Sequence, residues 1–195
     1  MPEENVDASR AKRRLGAELG LRWAEAAELT VDRLDLLGGQ IVVDRQLTRH
    51  AVLAPTKSAS STRRLALSLD LVEDLAALLA RRALTASDAD VLLFSTPDGS
   101  PLDYTNWRRR VWVPACERTG LARLRFHDLR SIATSALVAE GVDVKTAQKR
   151  LGHSSARVTL DIYARTTEGA DRNAARLVAA RLRSRDTRGM RRSGE

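Results

Sequence analysis

Four shortages in this chain each close off a set of functions. A single cysteine, Cys116, stands among 195 residues. No intrachain disulfide can form, and a reducing compartment suits it. Cys116 falls in an apolar helical run and reads as a small core residue. No stretch approaches the 18 or so consecutive apolar residues of a membrane-spanning helix, and the polar stretch Met1–Arg14 holds no apolar run of signal-peptide length. Aromatics make up only 4% of the chain, so the core must rest on Leu, Val, Ala and Ile. Acidic residues are outnumbered, 25 against 33 Lys and Arg, which leaves a formal charge of +8 and a pI of about 10.6. That balance suits a polyanionic partner, because cations that neutralise phosphates release condensed counterions. An excess of charge that merely solubilises the chain is the ordinary alternative. The expected location is cytoplasmic, nucleoid-associated when the partner is DNA, with no membrane involved.

What is present is a regular pattern of elements. Residues 1–8 read as a frayed acidic start. Leu15, Leu19, Trp23, Ala26 and Ala27 recur at helical spacing over Ser9–Leu29, with Gly20 as a break between two helices. Ile41–Val43 with Leu47, then Ala51–Ala54 and Arg64–Leu67, read as three strands of a small antiparallel sheet, and Lys57 lies in the Ser-rich connection before the last. The rest reads as helix. Residues 70–83 are capped by Asp70, 103–119 are bent at Pro114, and 127–140 end at Gly141. Further helices span 144–151, 155–163 and 169–184. The fold class is therefore α+β and mainly α-helical. A basic tail with Arg185, Arg188, Arg191 and Arg192 is expected to be disordered.

Six residues carry candidate chemistry: Arg22, Lys57, His127, Arg130, His153 and Tyr163. His127 and Arg130 are three apart, so on a helix they share a face. Arginine offers a rigid fork of donors for phosphate oxygens, and cations preorganised where charge gathers in phosphoryl transfer are among the largest catalytic contributions. Arg22 supplies a second fork, which Glu25, three residues on, can orient. Gly152 lets the backbone before His153 approach a ligand closely. A phenol such as Tyr163, with a pKa near 10, ionises and attacks more readily in a cationic field. Lys57 can protonate a leaving 5′-oxygen. Each residue taken singly has a plainer explanation in a surface ion pair, a solvated turn or half-buried packing. It is the ordered set of six that points to one phosphate site with a nucleophile.

Leu124–Tyr163 resembles the C-terminal signature of the tyrosine recombinase (phage integrase) family. His127-Asp128-Leu129-Arg130 matches its H-x-x-R box and Leu151-Gly152-His153-Ser154 its LGH box. Thr159-Leu160-Asp161-Ile162-Tyr163 is similar to its nucleophile segment, Gly20-Leu21-Arg22-Trp23-Ala24-Glu25 to its first-arginine box, and Pro55-Thr56-Lys57-Ser58 with Arg63-Arg64 to its β-hairpin lysine segment. The box often continues as H-x-L-R-H-T, where this chain has Ser131-Ile132. The resemblance implies the DNA breaking-rejoining catalytic fold and attack of Tyr163 on a DNA phosphodiester. A 3′-phosphotyrosyl link forms and a 5′-hydroxyl is freed. Arg22 and Arg130 would bind the phosphate, His127 and His153 donate to it and shuttle protons, and Lys57 act as general acid. No metal, ATP or other cofactor is implied. The implied partner is double-stranded DNA held by a homo-tetramer, with residues 169–184 placed to pack on a neighbouring protomer and accessory DNA-bending proteins possible. Family members usually also carry an N-terminal core-binding domain. The expected organisation here is a catalytic domain over 1–184 without that clamp, then the tail 185–195.

Three rival functions share parts of this pattern. A truncated DNA-binding remnant would bind without productive recombination. A type IB topoisomerase-like enzyme would relax supercoils without strand exchange. A metal hydrolase would use the two histidines, but their separation and the absence of a nearby carboxylate pair argue against it.

Overall fold

The computed structural model describes residues 3–47, 53–55, 62–153, 155, 157, 159 and 160. Lys57, Tyr163, the expected helix 169–184 and the tail 185–195 lie outside the described residues.

Helix α1 (Glu3–Leu19) buries Ala11, Leu15 and Leu19 along one stripe, the i, i+4, i+8 spacing read from the sequence. This stripe packs against α3 (Leu69–Arg81) and α6 (Asp128–Ala139). Arg14 ties α1 to α3 through Asp70 and Asp74, at 2.8 and 2.9 Å. Gly20, at φ +65°, stops α1 before the short α2 (Trp23–Ala27). A side chain is excluded there as well, because a Cβ would stand 2.4 Å from Leu151 Cδ2. The cap of α3 is Ser68 rather than the expected Asp70. Ser68 has extended dihedrals and accepts the Leu71 N–H at 3.2 Å, whereas Asp70 sits inside the first turn.

The three-stranded antiparallel sheet is present, with a different membership from that expected. Its order is β1 (Leu34–Asp35), β2 (Gln40–Val43), β5 (Arg63–Ala66). The chain leaves this sheet at Asp44, whose carboxylate is held by Arg33 Nε at 2.9 Å. β3 (Arg45–Leu47) and β4 (Leu53–Pro55) then pair only with each other as a separate ribbon. In the β2–β5 register Ile41 faces Leu65 and Val43 faces Arg63. Inward positions of β5 are thus Leu65 and Arg63, and the arginine is as buried as the leucine.

The helical stretch after Asp103 is split. Asp103 caps α4 (Tyr104–Trp107), a π-turn covers Arg108–Trp112, and α5 (Val113–Arg118) begins at Pro114's doorstep. Pro114 has no N–H to give a carbonyl one turn back, and the widened turn absorbs that loss. The scarce aromatics gather in one place: Trp23, Tyr104, Trp107, Trp112 and Phe126 form a continuous set of ring contacts with centroids 4.5–5.9 Å apart. Cys116 is buried beside them, as expected of a core residue. Helix α7 (Val144–Leu151) is capped by Asp143 and ends at Gly152. No helix among the described residues is long and apolar enough to cross a membrane.

Candidate active site

Two helix ends and one helix start converge to make the site. At the start of α2, the Arg22 N–H donates to Glu25 Oε2 at 2.9 Å, the return half of a capping box. The Arg22 guanidinium donates through Nη1 to Glu25 Oε1 (2.9 Å) and through Nη2 to the Gly152 carbonyl (3.2 Å), with 37% of the side chain still exposed. At the end of α7, Gly152 adopts φ +66° and the His153 N–H reaches back to Gln148 O at 3.1 Å, a Schellman cap. The LGH triplet is therefore a helix stop that fixes where His153 begins. The Gln148 side chain holds the His153 carbonyl at 3.1 Å.

Arg130, one turn into α6, is 3% exposed. It donates from Nη1 to Gly20 O at 2.6 Å, using the carbonyl freed by the helix break, and from Nε to His153 Nε2 at 3.1 Å. Its Nη2 is buried and has no hydrogen-bond partner among the described residues. Since an arginine Nε only donates, His153 Nε2 must accept and the ring proton sits on Nδ1, 2.9 Å from Thr159 Oγ1. Burial, reinforced by the charges of Arg130 and Arg22, pushes His153 down to about 4, so it is neutral at neutral pH. His127, the residue before α6, keeps much of its surface open to solvent, yet partial desolvation of its ring and then the charges of Arg130 and Arg22 hold it below its ordinary value. Burial and the neighbouring Arg22 charge push Arg130 down to about 9, which leaves it charged at neutral pH.

Glu25 is 2% exposed. Burial alone would raise its pKa, but ion pairs with Arg63 and Arg22 outweigh this and hold it below the usual carboxylate value. Arg63 grips it with both ends of its fork, at 3.1 and 3.0 Å. Two guanidinium groups thus pair with one carboxylate, with a third, that of Arg130, within electrostatic reach, and the centre is strongly cationic.

The structure therefore brings together Arg22, Glu25, Arg130 and His153, with His127 within electrostatic reach. Lys57 and Tyr163 lie outside the described residues. Thr159, first residue of the expected nucleophile segment, is buried against His153. Sequence reasoning gave no site role to Arg63, Thr159 or Gln148, although the first two lie in the segments quoted for the resemblance. For Arg63 one signal existed: a charge at the inward phase of a strand, two residues from Leu65. The site does not coincide with the cavity of about 730 Å³ that lies between the start of α1, the end of α3 and α4 and is lined by Lys12, Phe94 and Trp107. No cluster of metal-binding side chains occurs among the described residues.

Known proteins share this fold. By fold, the chain is similar to the Tn1549 transposon integrase in complex with transposon right end DNA (TM-score 0.74, 19% identity, 91% of this chain and 61% of that one). It is also similar to the XerH site-specific recombinase bound to palindromic difH substrate (TM-score 0.64, 22% identity, 90% and 47%). By sequence it is 25% identical over 156 residues to the ICEBs1 integrase of Bacillus subtilis strain 168, covering 77% of this chain and 40% of the relative. To the integrase of Staphylococcus phage L54a it is 24% identical over 164 residues, covering 78% and 46%. The chain thus spans less than half the length of these curated relatives. The model of the phage integrase family matches residues 8–169, and the chain belongs to that family.

Proposed function

We infer that this chain carries the DNA-cleaving and rejoining centre of a site-specific recombinase or integrase. The observation that carries the reading is Arg130 Nη2: a buried guanidinium donor without an acceptor among the described residues, beside a second guanidinium that remains partly open to solvent. A buried unpaired charged donor is costly, and an anion placed between Arg22 and Arg130 would relieve that cost. A DNA phosphodiester is the anion that the family, the charge of +8 and the two forks all suit.

In this reading Tyr163 Oη attacks phosphorus, the P–O5′ bond breaks, and Lys57 gives a proton to the leaving 5′-oxygen. Arg22 and Arg130 hold the non-bridging oxygens as charge builds on them. His127, neutral and near both arginines, is suited to relay the phenol proton or to donate to the phosphate. His153 has a different part from the direct donation expected of it: with both ring nitrogens engaged inside the protein, it aims Arg130 through Nε2. Reversal by another 5′-hydroxyl rejoins the strand, and the bond energy is kept in the phosphotyrosine throughout. Double-stranded DNA is the partner, held by several copies of the protein.

The test uses duplexes from DNA flanking the gene, nicked close to the cleavage point so that the freed end diffuses away. A denaturant-resistant protein–DNA adduct is expected, lost in Tyr163→Phe and kept in Tyr104→Phe, whose ring only packs on Trp23. Retarded DNA migration without any adduct would leave a binding module and refute the enzyme.

A further inference from the structure

We propose that Arg63 is a positioning residue for the phosphate site, holding the Arg22 guanidinium and the Gly152–His153 turn in one rigid frame. The proposal rests on the reading of that site as a phosphate site. Arg63 lies on β5, at an inward strand position, and its side chain is 1% exposed. One edge of its fork grips Glu25, Nη1 on Oε1 at 3.1 Å and Nη2 on Oε2 at 3.0 Å. The same two carboxylate oxygens receive the Arg22 side chain and the Arg22 backbone N–H, both at 2.9 Å. Arg63 therefore fixes the group that fixes Arg22.

Its other edge reaches α7. Nε donates to the Arg150 carbonyl at 2.9 Å, one of the carbonyls that the end of a helix leaves unpaired. The guanidinium plane lies against Gly152, where an added Cβ would stand 2.8 Å from Nη1 and 3.0 Å from Cζ. Gly152 O in turn accepts from Arg22 Nη2 at 3.2 Å. The contacts close a ring: Arg22 to Glu25, Glu25 to Arg63, Arg63 to the end of α7, and the end of α7 back to Arg22. His153, next in the chain, inherits its position from that ring and passes it to Arg130 through the 3.1 Å contact with Nε. Arg63 touches none of the reacting atoms in this scheme. It acts by denying Arg22 and His153 their alternatives, and only a planar fork with three usable donor positions spans Glu25 and the α7 carbonyl together.

Two variants and one small probe test this in the whole chain. Inorganic phosphate is titrated while the ring signals of isotope-labelled histidines are followed by NMR, with thermal melting measured in parallel. In the unaltered protein, phosphate is expected to shift the His127 and His153 signals to saturation. Arg63→Lys keeps the charge and loses the fork. It is expected to weaken phosphate binding about tenfold or more and to move the His153 signals before phosphate is added. The paired change Glu25→Gln with Arg63→Met removes the buried charges together, so melting is expected to recover while phosphate affinity stays low. Phosphate binding at unaltered strength in Arg63→Lys would overturn the proposal. So would recovery of both melting and affinity in the paired variant, which would mark Arg63 as a structural pair alone. A flat titration in the unaltered protein would instead overturn the phosphate site on which the proposal stands, a result separate from either variant's.

Discussion

Replacing Gly152 by alanine isolates the contact on which the site geometry turns, because the protein contains its own control. Gly141 ends α6 with the same cap as Gly152 ends α7: φ is +72° at one and +66° at the other, and in each the next N–H reaches back five residues. The two differ in surroundings. A Cβ on Gly141 meets nothing within 4 Å, whereas a Cβ on Gly152 meets the Arg63 guanidinium at 2.8 Å. Both substitutions incur the left-handed backbone strain of about 1–2 kcal/mol. Only Gly152→Ala adds the overpacking cost of about 1–3 kcal/mol, since Arg63 is pinned by Glu25 and Arg150 and has no free direction. In a chain of this size about 1 kcal/mol moves Tm by about 2–4 °C, so the two variants should separate by several degrees. The functional gap should be wider. A shift of about 1 Å in catalytic groups costs on the order of a hundredfold in rate, so single-turnover adduct formation should collapse in Gly152→Ala and persist in Gly141→Ala. Equal melting and equal cleavage in the two variants would refute the claim that the α7 end is packed onto Arg63.

Three buried groups give further outcomes. His153 has a folded-state pKa of about 4, below its ordinary 6.5. The unfolded chain therefore binds the extra proton first, and this contribution to stability is full above pH 6.5 and lost as pH falls toward 4. Melting of His153→Gln should be flatter across that window. Glu28, buried with both carboxylate oxygens unpartnered among the described residues and raised from 4.5 to about 7 by burial, works in the opposite sense, so the gain from Glu28→Gln should build up between those two pH values and be full above pH 7. Lys12 is 1% exposed and its Nζ has no hydrogen-bond acceptor among the described residues, lying 3.6 Å over the Trp23 ring. The unpaired donor costs about 1–3 kcal/mol and the aromatic faces return about 0.5–2 kcal/mol. Lys12→Met should therefore raise Tm slightly at neutral pH. Burial holds the Lys12 pKa well below 10.5, so the gain should shrink as pH rises toward the ordinary lysine range. A loss of stability at neutral pH would mean that the ring contacts outweigh burial.

Particular residues show how far the sequence could be read. The Leu15–Leu19 stripe, the Gly20 break and the Gly152 stop were legible because each is a local rule: helical periodicity, or a position where a positive φ favours glycine. The cap of α3 was misplaced by two residues because Ser68 and Asp70 are both good capping types, and only the backbone dihedrals at Ser68 decide between them. The sheet's membership was not legible. Leu34–Asp35 carries little strand signal, and pairing across β2 is settled by long-range register. Arg63 was read only as part of the hairpin lysine segment and given no role, since its importance lies in what it meets 38 and 87 residues away in the chain.

The order of residue types along the chain determined the family, the mainly helical α+β class, and which side chains have the chemistry to hold a phosphate, because donors, helix breaks and periodicity are properties of short segments. Tertiary structure alone decided that Arg22, Arg130 and His153 share one centre, that His153 spends its nitrogens on Arg130 and Thr159, and that a buried strand arginine locks the frame. Those facts depend on packing between segments as much as 130 residues apart, where burial strengthens the ion pairs and leaves one guanidinium nitrogen without an acceptor among the described residues.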